Sequence, residues 1–482
     1  MKSLYRSLAI AGGAVLALAA VFAALLLQPP ARAPRALEPF EGQAAGGTVF
    51  TAAEPVDISS VAVRNAAGAY RFFYEGDGYV LDDIPATIAD LGAFIDFMVN
   101  AGRLSAVRQV ADAPAEAYGL ETPAATVSID FFDGGALRLA IGGREAISGG
   151  YYVAAEGFPG VHLMAAPMAE PFLRPKTQVI DRNVTPPLRV TSPLSAVRDV
   201  TFAGGPLERP VTVQAVSGGD EQVRLAALSF GSATHLVRET GVYQLDQTYG
   251  IEILGSLFGI QTLGVEGYNL LEDEMAALGF AEPWMTVEFD AVNGAGAQVE
   301  RHVLRVYREG DAFYAALEGS GAVFRIGRQP FMDIRYERLP VRWLLTPLLM
   351  DLSAVTVEGE GRRYRFEIDN TDPRNPVITH EAAALDTQLF RSFFRLITSA
   401  AHDGTYLGPL ERPGGGALLT ITYEYTAPGK APDVLTLYPG GVRRAHVFVN
   451  GAGEFAMKDQ FAARVLEGIE SLLAGQPIEE NW

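Results

Sequence analysis

Six histidines are the residues best suited to hold a transition metal, and their spacing decides whether sequence neighbours could share one. They are His162, His235, His302, His380, His402 and His446. A helical zinc-protease motif needs two histidines four residues apart, with a glutamate directly after the first. His380 and Glu381 begin this motif, but Ala384 stands where the second histidine is required. The spacing therefore predicts no metal site, unless histidines distant in sequence converge in the fold.

Oxygen-bearing side chains are concentrated in the segment 369–375, which reads Asp-Asn-Thr-Asp-Pro-Arg-Asn. Calcium is held by roughly six to eight such oxygens in a tightly turned loop. The segment lacks the glycine that an EF-hand places at its sharp turn, and Asp, Asn and Pro are also the residues that an ordinary tight loop uses. We therefore predict a turn, with a calcium site as the alternative.

No pattern in the sequence is typical of a nucleophilic hydrolase or of a nucleotide-binding enzyme. There is no Gly-x-Ser-x-Gly elbow and no Walker phosphate loop. The 57 acidic residues could include a glycosidase pair, but the sequence does not give the distance between two carboxylates. Cysteine is absent, which excludes disulfides, thiolate ligands and a cysteine nucleophile. We predict a protein that is not an enzyme, with no catalytic, cofactor-binding or metal-binding residues and no cofactor.

Residues 1–27 predict a membrane anchor. Ser7 to Leu27 is an uncharged run of 21 residues, which as a helix spans about 30 Å, the hydrocarbon thickness of a bilayer. A cleaved signal peptide is the alternative, because Ala31-Arg32-Ala33 fits a cleavage site, although Pro34 would then follow the cleaved bond. Residues 28–50, rich in Pro, Ala and Gly, predict a stalk. We expect a single-pass protein of the cell membrane with its C-terminal part extracytoplasmic.

Composition and charge narrow the class of partner. Hydrophobic residues make up 49% of the chain, and 51 glycines and 29 prolines break it into short elements, which favours β-rich structure. The net charge is −19. A nucleic acid would be repelled by such a surface, so we expect no nucleic-acid partner.

Three segments of the chain begin alike, which predicts internal repeats. They open with Ile58-Ser59-Ser60-Val61, Leu194-Ser195-Ala196-Val197 and Leu352-Ser353-Ala354-Val355. We place repeat one at 51–185, repeat two at 186–345 and repeat three at 346–482. The fold class expected after the transmembrane helix is α+β, with three tandem repeats that each form an antiparallel sheet with one or two helices packed on it.

Each repeat is predicted to begin with a strand pair, Val61–Val63 with Tyr70–Tyr74 in the first, and to continue into a helix with one apolar stripe. In repeat one the stripe is Leu91, Phe94, Ile95 and Met98. In repeat three it is Leu389, Phe390, Phe393 and Ile397. In repeat two the segment 251–258 occupies this place. A last helix is expected at Gln460 to Leu473.

Turns and hairpins punctuate the rest of each repeat. A turn with a glycine of positive φ is predicted at Gly119, Gly279 and Gly408. A closing hairpin follows in every repeat, at 151–164, 313–326 and 446–457, the last around Asn450-Gly451, a strong hairpin signal. Trp284 and Trp343 lie in apolar surroundings and are predicted to be core residues.

The first repeat resembles a known family. The matching residues are Tyr118 to Pro123, Asp133-Gly134, Leu139 to Gly142 and Tyr151 to Val153. They are similar to the bacterial domain-of-unknown-function family 4340, over about Ile58 to Arg174 and more weakly beyond. The resemblance implies a single-pass membrane protein associated with ABC-2-type transporters or gliding-related auxiliary proteins, and it supplies no catalytic residues.

We therefore expect a non-enzymatic, membrane-anchored, extracytoplasmic accessory or scaffold protein. Its expected partners are the membrane, through the anchor, and an ABC transporter permease or an auxiliary protein. A cell-wall or polysaccharide-binding ectodomain is the alternative and would need a row of exposed aromatic side chains. An envelope hydrolase, which would need a deep cleft with convergent acids or histidines, is the third hypothesis.

Overall fold

The computed structural model describes residues 47–110, 115–216, 234–239, 241–292 and 298–482. The predicted anchor at 1–27 and the predicted stalk as far as residue 46 lie outside these ranges. Within them, no helix has both the length and the apolar composition needed to cross a bilayer. The last three residues predicted as stalk are part of the fold, because Thr48–Val49 form a strand and Phe50 is buried.

The described residues form two compact units, divided between Asp181 and Arg182. The first unit contains one nine-stranded sheet and the second contains two. Neighbouring strands run antiparallel, so the predicted α+β class with antiparallel sheets is confirmed.

The first sheet is accompanied by the helices α1 (Leu91–Gly102) and α2 (Ala166–Leu173). Its strands are β1 (Thr48–Val49), β2 (Ile58–Asn65), β3 (Gly68–Glu75), β4 (Gly78–Leu81), β5 (Ser105–Val110), β6 (Ala125–Phe131), β7 (Ala136–Arg144), β8 (Tyr151–Ala155) and β9 (Phe158–Met164).

The second sheet is accompanied by α3 (Pro193–Ala196), α4 (Gln247–Gly255) and α5 (Glu272–Met275). Its strands are β10 (Val197–Gly204), β11 (Val211–Ala215), β12 (His235–Arg238), β13 (Val242–Gln244), β14 (Thr262–Gly267), β15 (Met285–Val292), β16 (Val299–Glu309), β17 (Ala312–Leu317) and β18 (Val323–Ile326).

The third sheet is accompanied by α6 (Thr387–Thr398) and α7 (Gln460–Leu473). Its strands are β19 (Leu352–Gly359), β20 (Arg362–Asp369), β21 (Val377–His380), β22 (Ala383–Ala384), β23 (Tyr406–Leu410), β24 (Leu419–Tyr425), β25 (Asp433–Pro439), β26 (Arg444–Val449) and β27 (Ala452–Lys458).

Eight strands have the same spatial order in all three sheets. The order is β4-β3-β2-β6-β7-β8-β9-β5 in the first, β12-β11-β10-β15-β16-β17-β18-β14 in the second and β21-β20-β19-β24-β25-β26-β27-β23 in the third. The ninth strand lies beyond β5 in the first sheet, but beyond β12 and β21 in the others. Because the order and the pairing registers correspond, most residues of one sheet have an equivalent in the other two.

One face of the first sheet, called here the inner face, is covered by α1. The ring of Phe72 on β3 contacts Phe94 and Phe97, with ring centroids 5.8 Å and 5.3 Å away. The helix therefore buries Phe94, Phe97, Met98 and Ala101. The predicted stripe was wrong at Leu91 and Ile95, which are 64% and 55% exposed, because the phenylalanine pair turns the helix toward the sheet.

The helices of the third repeat follow their predicted faces more closely. Phe390, Phe393 and Ile397 on α6 are fully buried. The predicted C-terminal helix has its predicted bounds, Gln460–Leu473, and buries Phe461, Val465, Ile469 and Leu472. In the second repeat the helix predicted at 251–258 begins earlier, at Gln247, where the side chain of Asp246 caps its first turn.

The three turn glycines all have positive φ, at 70° for Gly119, 94° for Gly279 and 73° for Gly408. Gly119 and Gly279 precede the strands β6 and β15, as predicted. The prediction of the same turn at Gly408 was wrong, because this residue lies inside β23, the equivalent of β5 and β14. Leu407-Gly408 therefore resembles the turns at Gly119 and Gly279 in sequence but occupies a different place in the fold.

The three closing hairpins are confirmed as β8–β9, β17–β18 and β26–β27. Asn450 and Gly451 have φ values of 52° and 89°, as a two-residue turn with positive φ requires. Trp284 is half-buried against Phe313. Trp343 is 60% exposed and not a core residue, since its extended backbone pairs with Ala401 and turns the next residue, Leu344, inward.

Candidate functional site

The histidines lie apart in the fold and bond mainly to backbone. His162 Nε2 is 3.2 Å from the carbonyl oxygen of Pro159, and His235 Nε2 is 3.1 Å from that of Val197. His402 Nδ1 accepts a hydrogen bond from the amide of Gly404. Burial lowers the pKa of His235, and that of His402 to about 4, so both are neutral near pH 7. The described ranges contain no group of three or more metal-binding side chains.

His380 and Glu381, which begin like a zinc-protease helix, lie instead in a hairpin. His380 ends β21, and its Nδ1 is 2.9 Å from the carbonyl oxygen of Arg365. Glu381 and Ala382 have φ values of 48° and 67° and form the turn into β22. A zinc-protease helix is therefore ruled out for this segment.

The acidic segment 369–375 is a turn, as predicted. Asp369 Oδ1 accepts hydrogen bonds from the amide and the hydroxyl of Thr371. Asp372 accepts from the amide of Arg374 at 3.1 Å and from Asn375 Nδ2 at 3.0 Å. These bonds lower the pKa of both carboxyls and turn them into their own loop.

A buried carboxyl, Glu454 on β27, was not anticipated from the sequence. Its side chain is fully buried, and the hydroxyl of Tyr336 donates to its Oε1 at 2.7 Å. Burial raises the pKa of Glu454; the hydrogen bonds from Tyr336 and Tyr243 oppose this effect, and the charge of Glu239 adds to it. The ring of the adjacent Phe455 lies 5.5 Å from that of Tyr243. With no surface open to a substrate, the carboxyl acts as a core residue that joins the third sheet to elements of the second repeat.

An open trough on the first sheet is the surface best suited to bind another molecule. It lies on the outer face, opposite α1, and has a volume of about 920 Å³. Two rows of side chains form it, running across the strands β3, β2, β6, β7 and β8. One row is Arg71, Ala62, Ser128, Arg138 and Glu156, and the other is Ala69, Arg64, Thr126, Ala140 and Ala154. We call these ten residues the sheet-one trough.

Strand alternation explains why the trough has this place. Successive side chains on a strand point to opposite faces, so Val61 and Val63 on β2 face the helices and are buried. Ala62 and Arg64 between and beyond them face outward. The same alternation places Val127 inside and Thr126 outside on β6. In the two rows of the trough, no side chain other than arginine or glutamate is longer than threonine.

The charges of the trough are unevenly paired. Asp130, at its edge, accepts from Ser60 Oγ and from Arg138 Nη2, both at 2.8 Å. Burial acts to raise the pKa of Asp130, but these hydrogen bonds and the charges of Arg138 and Arg71 outweigh it and lower the pKa. Arg64 and Arg71 form no salt bridge to any residue in the part of the chain that the structure describes. The β2–β3 side of the trough therefore carries two arginines that belong to no salt bridge among the described residues, and Arg71 acts on Asp130 only through its charge.

Arg71 and Arg138 show how the trough is assembled. Their row passes through Ala62 and Ser128, so three strand spacings, or about 14 Å, separate the two arginines. Such a surface can hold a carboxylate or another anion beside an apolar floor, but it brings together no nucleophile and base. Residues from 62 to 156 contribute, and only the register of the sheet brings them together, so the sequence carried no signal for the site.

No family model, no curated protein and no solved structure matches the chain.

Proposed function

We propose that the chain is a non-enzymatic, membrane-anchored accessory or scaffold protein that binds a partner protein on the extracytoplasmic side of the membrane. In this proposal residues 1–27 form the single transmembrane helix and 28–46 the stalk. The three tandem repeats, each an antiparallel sheet with helices on one face, make up the ectodomain. An ABC-2-type transporter permease or a gliding-related envelope protein is the proposed partner.

The observation that carries the proposal is the sheet-one trough. An open sheet face with small side chains and two exposed arginines outside any salt bridge of the described residues has the chemistry of a binding surface, since arginine is enriched where proteins meet. The opposite face of the same sheet already holds its helix, so the outer face is the one that remains for a partner.

The sequence supports the location and the kind of partner. The uncharged run Ser7 to Leu27 has the length of a membrane span. The resemblance of Tyr118 to Pro123 and Tyr151 to Val153 to the domain-of-unknown-function family 4340 favours an envelope transport assembly. Between a protein and a polysaccharide partner, the trough favours a protein, because its two rows contain no aromatic side chain on which a sugar ring could stack.

The test is crosslinking of the full chain in its own host cell, followed by membrane isolation and mild detergent extraction. We expect the chain to stay with the membrane through a carbonate wash and to be cleaved by protease added outside the cell. It should also crosslink to one membrane protein in a fixed ratio. A chain found in the soluble cytoplasmic fraction, or one that crosslinks to no membrane protein, would overturn the proposal.

A further inference from the structure

We infer that the sheet-one trough binds an acidic amphipathic helix of the partner protein, with carboxylates against Arg64 and Arg71 and apolar side chains on the alanine floor. This inference rests on the proposed function and names the chemistry of the partner.

The two arginines are close enough to act together. Ala62 on β2 lies opposite Arg71 on β3, and Arg64 is two residues further along β2 on the same face. Such diagonal neighbours lie about 7–8 Å apart, and their long side chains can converge on carboxylates one helical turn, or about 5.4 Å, apart. Both arginines are exposed, and each can bind a carboxylate through two parallel hydrogen bonds.

The floor has the size and the chemistry for a helix. From β3 to β8 there are four strand spacings, or about 19 Å, whereas a helix with its side chains is about 10 Å across. Ala62, Ala69, Ala140 and Ala154 present only methyl groups, so large apolar side chains can pack close to the strands. Of the acids beside the floor, Asp130 pairs with Arg138 and Asp82 with Lys176, and Glu156 lies at the far end of the row that begins with Arg71.

The third sheet shows what the trough lacks. The position of Arg64 is occupied there by Glu358, and that of Ala69 by Arg363. Glu358 and Arg363 form a salt bridge of 3.4 Å. The third sheet thus has a carboxylate at this point, whereas the first sheet has Arg64 at the position of the glutamate and Ala69 at that of the arginine. The missing carboxylate is the one that we assign to the partner.

A binding experiment on the purified full-length protein in detergent tests the inference. The probe is a fluorescent amphipathic peptide, on the order of 18 residues, long enough to form a helix, with leucines on one face and glutamates along its border. Its matched control has every glutamate replaced by glutamine. A second competitor, polygalacturonate, carries carboxylates on a sugar backbone.

Two trough variants have matched partners on the third sheet. R64Q/R71Q removes two charges from the trough, and R362Q/R363Q removes two from the third sheet. T126W fills the floor, and T420W makes the same substitution at the equivalent position. Fluorescence anisotropy reports binding, and near-ultraviolet circular dichroism reports whether each variant is folded.

We expect the glutamate peptide to bind the wild type and to bind less tightly as salt is added. Affinity should fall about tenfold in R64Q/R71Q, as two exposed ion pairs allow, and should be lost in T126W. The two third-sheet variants should bind like the wild type. Equal binding of the glutamine peptide, equal losses in the third-sheet variants, or stronger competition by polygalacturonate would overturn the inference.

The crosslinking experiment separates this inference from the proposed function. If the membrane partner still crosslinks to R64Q/R71Q and T126W as it does to the wild type, the trough is not the binding surface, although the scaffold function stands. If the wild type binds the peptide but crosslinks to no membrane protein, the chemistry of the trough stands and the proposed function fails.

Discussion

The outer faces of the first and third sheets have the same backbone pairing, but their arginines differ in whether they form salt bridges. On the third sheet Arg365 lies between Glu424 and Glu367 and forms salt bridges with both, and Arg363 pairs with Glu358. On the first sheet, Arg71 is the equivalent of Arg365. Phe73 stands at the position of Glu367, with its ring centroid 5.2 Å from the guanidinium of Arg71. Asp130 stands at the position of Glu424, but it forms its salt bridge with Arg138 instead of with Arg71.

The two outer faces also differ in the size of the side chains that cover their strands. Ala154 in the sheet-one trough is replaced on the third sheet by Phe448, which is buried, and Ala140 by Thr436, which is also buried. The third sheet fills its outer face with its own side chains and pairs its own charges. The first sheet leaves the space open and leaves Arg64 and Arg71 outside any salt bridge of the described residues, and this difference is the basis for proposing that the first sheet binds a partner.

The inner faces of the two sheets, by contrast, have equivalent packing. Truncating the phenylalanine at the centre of each inner face should give the largest loss of stability. Phe72 on β3 and Phe366 on β20 are equivalent and fully buried. Each ring packs against two phenylalanines of its helix. We expect F72A and F366A each to lower the free energy of unfolding by about 3–5 kcal/mol, through lost burial and a cavity.

Denaturant unfolding followed by hydrogen exchange of each sheet would measure the two costs separately. We expect each variant to lose hydrogen-exchange protection only in the sheet that carries the substitution. If F72A costs less than half as much as F366A, the inner faces are not equivalent, and the comparison of the outer faces loses its basis.

Substitution of the turn glycines should have an intermediate effect on the free energy of unfolding. The size of the effect should differ between Gly119, which occupies the predicted turn, and Gly408, which only resembles it in sequence. A Cβ at Gly119 would lie 3.1 Å from the amide nitrogen of Gly143, whereas one at Gly408 would meet no atom within 4 Å. Both residues have positive φ, which costs an alanine about 1–2 kcal/mol. We expect G408A to cost about 1 kcal/mol and G119A about 2–3 kcal/mol. Thermal unfolding of the two variants would test the order, and the reverse order would contradict it.

Local patterns predicted the inner architecture well, because strand alternation and helical spacing are determined by burial. The helix Gln460–Leu473 and the hairpin at Asn450-Gly451 depend on neighbouring residues alone. The prediction that Trp343 is a core residue was wrong, because its apolar neighbours follow neither a helical nor a strand period. Only the pairing with Ala401 shows which side chains of this segment face outward.

The trough could not be predicted for a different reason. Arg71 and Arg138 are 67 residues apart in sequence, and each is an ordinary surface arginine on its own strand. Their relation depends on the registers of β2 with β3, of β2 with β6 and of β6 with β7, and the pairing of β2 with β6 is long-range in sequence. The burial of Glu454 could not be predicted either, since nothing in the sequence distinguishes a buried glutamate in a strand from an exposed one.

Glu454 predicts a pH dependence that the first sheet lacks. Its equivalent on the first sheet is Val161. Burial raises the pKa of Glu454 above its ordinary value of 4.5, so the folded state holds the proton more tightly than the unfolded state. The stabilisation is present below pH 4.5 and is lost as the pH rises through the folded pKa. The variant E454Q keeps the shape and an acceptor for Tyr336 but does not ionise.

We therefore expect the stability of the second unit to fall with rising pH in the wild type, and this component of the fall to be absent in E454Q. Urea midpoints between about pH 4 and pH 8 would give the two profiles. Parallel profiles would show that Glu454 does not change its proton affinity on folding.

The smallest change in stability, with the largest change in binding, is expected when the charge pair of the third sheet is moved to the first. The double variant R64E/A69R places a glutamate and an arginine opposite each other on β2 and β3, as Glu358 and Arg363 are on β19 and β20. Exposed cross-strand ion pairs contribute about 0.2–1 kcal/mol, so the unfolding free energy should change by less than about 1 kcal/mol. The acidic peptide should no longer bind, because a carboxylate would then replace the guanidinium of Arg64 beside Arg71.

The single variant A69R is the matched control, since it places the same arginine at the β3 end of the floor but adds no acid. The peptide should still bind A69R, so a loss confined to R64E/A69R is due to the carboxylate and not to the larger side chain. Urea unfolding and peptide anisotropy on the same samples would give both quantities. If R64E/A69R is as stable as expected and still binds the peptide, the open cation is not what distinguishes the first sheet from the third. If it is destabilised by several kcal/mol, the outer faces are not interchangeable, and the absence of a paired acid beside Arg64 has a structural cause rather than a functional one.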